Sequence, residues 1–147
     1  MSERFSAIKV KGVKHYKMII KIIGVEPACP RCDRMYTLAR RAVEELGAEA
    51  ELNKISFDSE EAGAYGRVGT AHDIAEWAGH QIDWDKVKDI VSNGWSQELD
   101  DFLMPCKKIA DKRGWLMTPV LLINDKVICS GYVPEKAFIT FAIQDKL

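Results

Sequence analysis

The strongest constraint on the fold is the stretch MIIKIIG, Met18 to Gly24, a run of branched apolar residues broken only by Lys21. A strand with one wet face alternates polar and apolar positions, so this run predicts a central strand covered on both faces by helices. From Pro30 to Leu46, Met35, Leu38, Ala39, Ala42, Val43 and Leu46 recur at the spacing of one helical face, and Gly47 provides the stop. The following AEAELNKISF mixes charge with Leu52, Ile55 and Phe57, the pattern of a partly exposed strand. Together these segments predict a β-α-β unit and an α/β fold.

Further along, PVLLINDKVICSG reads as two strands, Val120 to Ile123 and Lys126 to Ser130, joined by the two-residue turn Asn124-Asp125. Pairing through that turn sets Cys129 opposite Val120. Pro134 sits where a first helical residue belongs, and Ala137, Phe138, Phe141 and Ala142 form the inward stripe of a closing helix. Between the two units, residues 58 to 113 carry several short helices. Thr70 with Asp73 resembles a capping box opening a helix through Trp77, Asp83 and Ser96 cap two more, and Pro105 begins a fourth that ends near Gly114.

With 147 residues, 47% of them hydrophobic and 29% charged, the chain suits one domain with a single core. Residues 1 to 17 form a basic N-terminal extension, and about 58 to 103 a helical insertion rich in acidic residues. A net charge of -1 leaves no electrostatic footprint for nucleic acid. The longest apolar run is far short of the ~20 residues that span a bilayer, and the N-terminus has neither the apolar core nor the cleavage site of a secretory signal. The expectation is a cytoplasmic protein without membrane contact, whose thiols stay reduced. Its four cysteines are then there for catalysis, metal binding or plain burial rather than for a disulfide framework.

Two of them, Cys29 and Cys32, stand where the apolar strand gives way to the amphipathic helix. With Cys29 at the N-cap and Pro30 first in the helix, Cys32 falls within the stripe of Met35 and Ala39 and Cys29 outside it. One sulfur is then exposed and the other shielded. A Cys29 thiolate would face unpaired amides and the positive end of the helix dipole, with Arg31 and Arg34 nearby, conditions that lower a thiol pKa to ~3.5 to 7.5. Such a thiolate can attack a disulfide and leave Cys32 to resolve the mixed disulfide. As a metal centre the pair is only half of a tetrahedral site; no second CxxC and no HxxxH is present, and His72 and His80 are too widely spaced to complete it, so no metal is assigned. Two inert core thiols are the remaining alternative.

MIIKIIGVEPACPRC, AVEELG and MTPVLLINDKVICSGYVP together resemble the thioredoxin superfamily, in particular its small glutaredoxin-like redox-active disulfide proteins from bacteria and archaea. The likeness covers roughly residues 18 to 57 and 105 to 141. It implies a thioredoxin-like β-α-β … β-β-α core with a helical insertion before a strand entered by a cis proline. Cys29 would be the nucleophile, Cys32 the resolving thiol, and Pro30, Arg31, Thr118 and Pro119 the substrate-contacting residues, with Pro119 cis and the Thr118 backbone pairing with an incoming peptide. Cys129, near that proline, reads as a core thiol with an auxiliary redox role as the alternative.

The implied activity is thiol-disulfide exchange with a protein substrate, served by an external reductase or thiol reductant and needing no bound organic cofactor. The rivals are a thioredoxin-like binding module and a metal-binding thiol protein. Three departures from the family pattern stand out: the Cys-Pro-Arg-Cys sequence lacks the usual Trp and Gly-Pro, CSGYVPE replaces the Gly-Gly-acidic ending that helps hold glutathione, and the minimal family has no counterpart of the insertion. Trp77, Trp84 and Trp95 in that insertion read as core, and the alternative is a surface for a dedicated partner.

Overall fold

The computed structural model describes residues 17–25 and 29–147; most of the basic extension, and residues 26–28, lie outside the described residues. Strand β1 (Met18–Gly24) leads to helix α1 (Pro30–Leu46) and returns through β2 (Ala50–Ser56), paired in parallel with β1 from Met18↔Ala50 to Gly24↔Ser56. Near the other end of the chain, β5 (Val120–Ile123) runs antiparallel to β1, and β6 (Lys126–Ser130) antiparallel to β5. The sheet order is β2-β1-β5-β6, with helix α7 (Lys136–Gln144) packed beside α1. This is a thioredoxin-like α/β fold.

Local chemistry accounts for the ends of these elements. Gly47 adopts a left-handed φ of 61° and donates to Glu44 O, while Ala48 N–H reaches Val43 O, so the last carbonyls of α1 are satisfied. Asn124 and Asp125 both have positive φ, 50° and 67°, the backbone a two-residue hairpin turn demands. A bulge between Leu121 and Leu122 then shifts the register, and Cys129 faces Leu121 rather than Val120.

Strand β1 is central, but its two faces are covered differently from the expected helix on each side. Met18, Ile20 and Ile22 pack with Met35, Leu38 and Ala39 of α1 and Ile139 and Ile143 of α7. On the opposite face, Ile23 joins Ile55, Val120 and Leu122 beneath Ala62 of the short helix α2 (Glu60–Gly63). Ile19 is 38% exposed, and the Lys21 ammonium reaches Tyr65 Oη at 2.9 Å and Glu61 at 3.1 Å.

The insertion begins with α2 and a two-residue strand β3 (Val68–Gly69). Helices α3 (Ala71–Ala78), α4 (Trp84–Val91) and α5 (Gln97–Phe102) follow before α6 (Met104–Arg113) and strand β4 (Leu116–Met117) return the chain to the sheet. Thr70 and Asp73 form the reciprocal capping box, and Asp83 and Ser96 cap α4 and α5. Ile74, Ile90, Leu99 and Leu103 make a second apolar cluster that includes Cys106 and Ala110 of α6. Trp77 and Trp84 pack against this cluster, whereas Trp95 packs against the core beside α1. The parallel β3–β4 pair has too few residues to leave a period in the sequence.

Helix α7 differs from its sequence-based description. It starts at Lys136 rather than Pro134, because Val133 N–H is tied to Asp100 and both Val133 and Pro134 are buried as the chain enters the helix. Its buried residues are Ile139 and Ile143, while Phe138 and Phe141 are 44% and 70% exposed. The helix is apolar on nearly every side, so spacing alone supports two stripes, and the one that is buried packs Ile139 and Ile143 in a cluster with Ala39 and Ala42 of α1. Ile139→Ala is therefore expected to cost about 2–5 kcal/mol of unfolding free energy in urea, and Phe141→Ala to stay within about 0.5 kcal/mol. A larger loss at Phe141 than at Ile139 would show that the helix presents its other face.

Candidate active site

Strand β1 and the first turn of α1 place two sulfurs just beyond the carboxyl end of a central strand. Cys29 is the N-cap in extended backbone, with φ −76° and ψ 165°, and accepts from Cys32 N–H at 3.5 Å. The sulfurs of Cys29 and Cys32, both free thiols, lie 3.2 Å apart. Cys29 is half-buried and Cys32 buried, the asymmetry the helical wheel implies. Gly24 makes this closeness possible, since a Cβ there would fall 2.7 Å from Cys32 Sγ.

The two thiols are driven in opposite directions. Sharing a hydrogen bond with Cys32 lowers the Cys29 pKa to about 6, with further help from the amides of Cys32 and Arg31 and the Arg31 charge, against an opposing effect of burial. Cys32 is pushed up by the same hydrogen bond, in which it keeps the proton, and by burial and the nearby Cys29 charge. Within the pair, negative charge is therefore favoured on Cys29 and the shared proton on Cys32.

Arg31, expected at the substrate surface, points inward and is 5% exposed. Its Nε donates to Asp100 Oδ1 at 2.8 Å, Nη1 to Thr118 O at 3.1 Å, and Nη2 to Gly131 O. Asp100, on α5 of the insertion, also accepts from Trp95 Nε1 at 3.1 Å and from Val133 N–H at 2.9 Å. Both ions are buried, and each is surrounded by hydrogen-bond partners, the condition under which a buried pair is tolerated. The Arg34 guanidinium lies over the Trp95 ring at 5.0 Å.

The Thr118–Pro119 peptide bond is cis. Thr118 N–H donates to Gly69 O at 3.0 Å, and Leu116 N–H to Arg67 O at 2.9 Å, so β3 runs along this edge. Thr118 O is held by Arg31. Both main-chain groups of Thr118 are thus engaged within the protein, unlike the open pairing edge expected for a substrate peptide. Pro30 and Cys29 instead border a cavity of about 190 Å³ roofed by Trp84, Val87 and Val91 of α4. A separate hollow of about 470 Å³ runs along the outer face of α1 by Arg34, Thr37 and Trp95, with no cysteine among its described lining residues.

The other thiols are set apart. Cys106 is enclosed in the core of the insertion, and burial raises its pKa. Burial pushes Cys129 up to about 12, on the side of the sheet covered by α1 and α7. His72, Asp73 and Glu76 bring ligand atoms within 4.8 Å of one another, but the Asp73 carboxylate already accepts from Thr70 N–H. Sequence reasoning missed Asp100 and Gly69. Asp100 reads as an ordinary acidic residue in a helix first turn, and its one signal is its position beside the buried Leu99.

Residues 18–72 match the family model of a thioredoxin domain. A thioredoxin from Methanocaldococcus jannaschii is 33% identical over 60 residues, 41% of this chain and 52% of that protein. The match therefore spans about half of the relative's length. No solved structure matches.

Alkylation of Cys29 is expected to follow its thiolate, rising with pH to half its maximum near pH about 6. Cys32→Ala removes the largest cause of the depression and should move that midpoint upward; an unmoved midpoint would show that the amides or Arg31 dominate. Asp100→Ala leaves the Arg31 charge buried without its counter-ion and is expected to cost about 3–5 kcal/mol in urea unfolding.

Proposed function

From the thioredoxin-like fold and the match of residues 18–72 to a thioredoxin domain, we propose that the chain is a thiol-disulfide oxidoreductase of the thioredoxin superfamily, exchanging its Cys29–Cys32 dithiol with a protein disulfide. The observation that carries the reading is two free sulfurs 3.2 Å apart at the N-terminus of α1, a contact that lowers the Cys29 thiol to about 6 and raises Cys32. A nucleophile with a pKa near ambient pH combines a high thiolate fraction with retained nucleophilicity.

In the reducing direction, the Cys29 thiolate attacks one substrate sulfur. The substrate S–S bond breaks, and the departing sulfur leaves as a thiolate that takes a proton from water. Once Cys29 is bound in the mixed disulfide, its negative charge no longer holds the proton on Cys32. Cys32 then loses that proton and attacks Cys29 Sγ, releasing the second substrate thiol. The substrate has gained two electrons and two protons, and the pair has become a Cys29–Cys32 disulfide. An external reductase or thiol reductant, in a compartment that keeps thiols reduced such as the cytoplasm, returns two electrons to the pair.

Anaerobic titration of the folded chain in graded thiol-disulfide buffers, with thiol labelling read by mass spectrometry, tests this. A reversible two-electron couple confined to Cys29 and Cys32, and abolished by Cys29→Ser, is expected. Failure of an intramolecular disulfide to form at any buffer ratio would overturn the reading.

A further inference from the structure

Two features beside Cys29 bear on which disulfide the site takes. The first is the loss of the strand-pairing edge: Thr118 N–H is bonded to Gly69 O at 3.0 Å and Thr118 O to Arg31 at 3.1 Å. Adding a peptide as an extended strand needs free main-chain donors and acceptors on the host edge. Here β3 of the insertion already occupies that place.

The second is what the insertion supplies instead. The cavity of about 190 Å³ reaches from Cys29 and Thr118 to Trp84, Val87 and Val91, with Leu99 and Leu103 at its back. It is smaller than the ~300–1,000 Å³ of pockets for drug-sized ligands. An apolar cavity of ~150 Å³ is enough for one benzene ring, so this one has room for a single large side chain. Arg31 is the one lysine or arginine among the described lining residues, and its guanidinium is engaged by Asp100 and two carbonyls. A carboxylate entering here finds no free guanidinium or ammonium among those residues, and the one other basic group, the His72 imidazole, packs against Trp84.

We propose that the insertion has replaced main-chain pairing by a side-chain pocket, so that the site selects protein disulfides in which one cysteine is neighboured by a large uncharged apolar side chain. That side chain fills the cavity while Cys29 attacks the adjacent sulfur. An anionic tripeptide disulfide such as glutathione disulfide, which carries several carboxylates and no such group, is a poor substrate. The inference rests on the oxidoreductase reading and narrows its substrate class.

The test is single-turnover oxidation of the pre-reduced full chain by three disulfides: the dimers of Gly-Cys-Phe-Gly and Gly-Cys-Ala-Gly, both terminally blocked, and glutathione disulfide. Reaction with the Phe peptide is expected to be about tenfold or more faster than with the other two, the order of gain from burying one large apolar side chain. Val87→Trp, or the milder Val91→Met, narrows the cavity and is expected to bring the Phe-to-Ala ratio toward one. Equal rates for the two peptides in the unaltered chain, or a ratio that survives both substitutions, would overturn the pocket assignment while leaving thiol-disulfide exchange intact. No reaction with any of the three would overturn the oxidoreductase reading, and this inference with it.

Discussion

The buried ion pair between Arg31 and Asp100 is the interaction on which the arrangement around the cysteines depends. Arg31 belongs to the Cys-Pro-Arg-Cys turn and Asp100 to the insertion, 69 positions away. One guanidinium joins the start of α1 to α5, to the cis-proline turn through Thr118 O and to the loop after β6 through Gly131 O. Removing either charge leaves the other stranded in a low-dielectric setting, so the insertion and the thioredoxin-like core are energetically one body at this point. The insertion is thus wired into the active-site turn.

That wiring has two chemical consequences. Arg31 contributes positive charge near Cys29 while its own side chain is withdrawn from solvent, so it favours the thiolate without offering its guanidinium to an anionic substrate. At the same time the Arg31 contact and the β3 strand close off the Thr118 backbone. What remains open beside Cys29 is an apolar hollow between the active-site turn, Thr118, the start of α3 and the side chains of α4 and α5.

The match to the thioredoxin domain covers residues 18–72, from β1 through the start of α3. It includes both cysteines but neither the cis-proline turn nor Asp100. The site therefore joins the matched segment, which carries Arg31 and β3 as well as the cysteines, to Thr118, Asp100 and α4 outside the matched range. Gly24 lies within the matched part and sets the sulfur geometry, because only a residue without a Cβ lets Cys32 press against the end of β1.

The sequence by itself determined what neighbouring residues decide among themselves. The Cys29 N-cap, the Gly47 stop, the Thr70–Asp73 capping box and the Asn124-Asp125 turn all rest on contacts within a few positions, where propensity and hydrogen-bond geometry leave little choice, and the strand and helix of the β-α-β unit are each marked by their own apolar pattern. Tertiary structure decided the rest. The bulge that sets Cys129 against Leu121, the inward face of α7, the burial of Arg31 and the placement of β3 on Thr118 each depend on a surface supplied by a distant segment. A charged residue in a motif reads as solvent-facing until a counter-ion is known to meet it, and an apolar helix has no unique inner face until its neighbour's shape selects one.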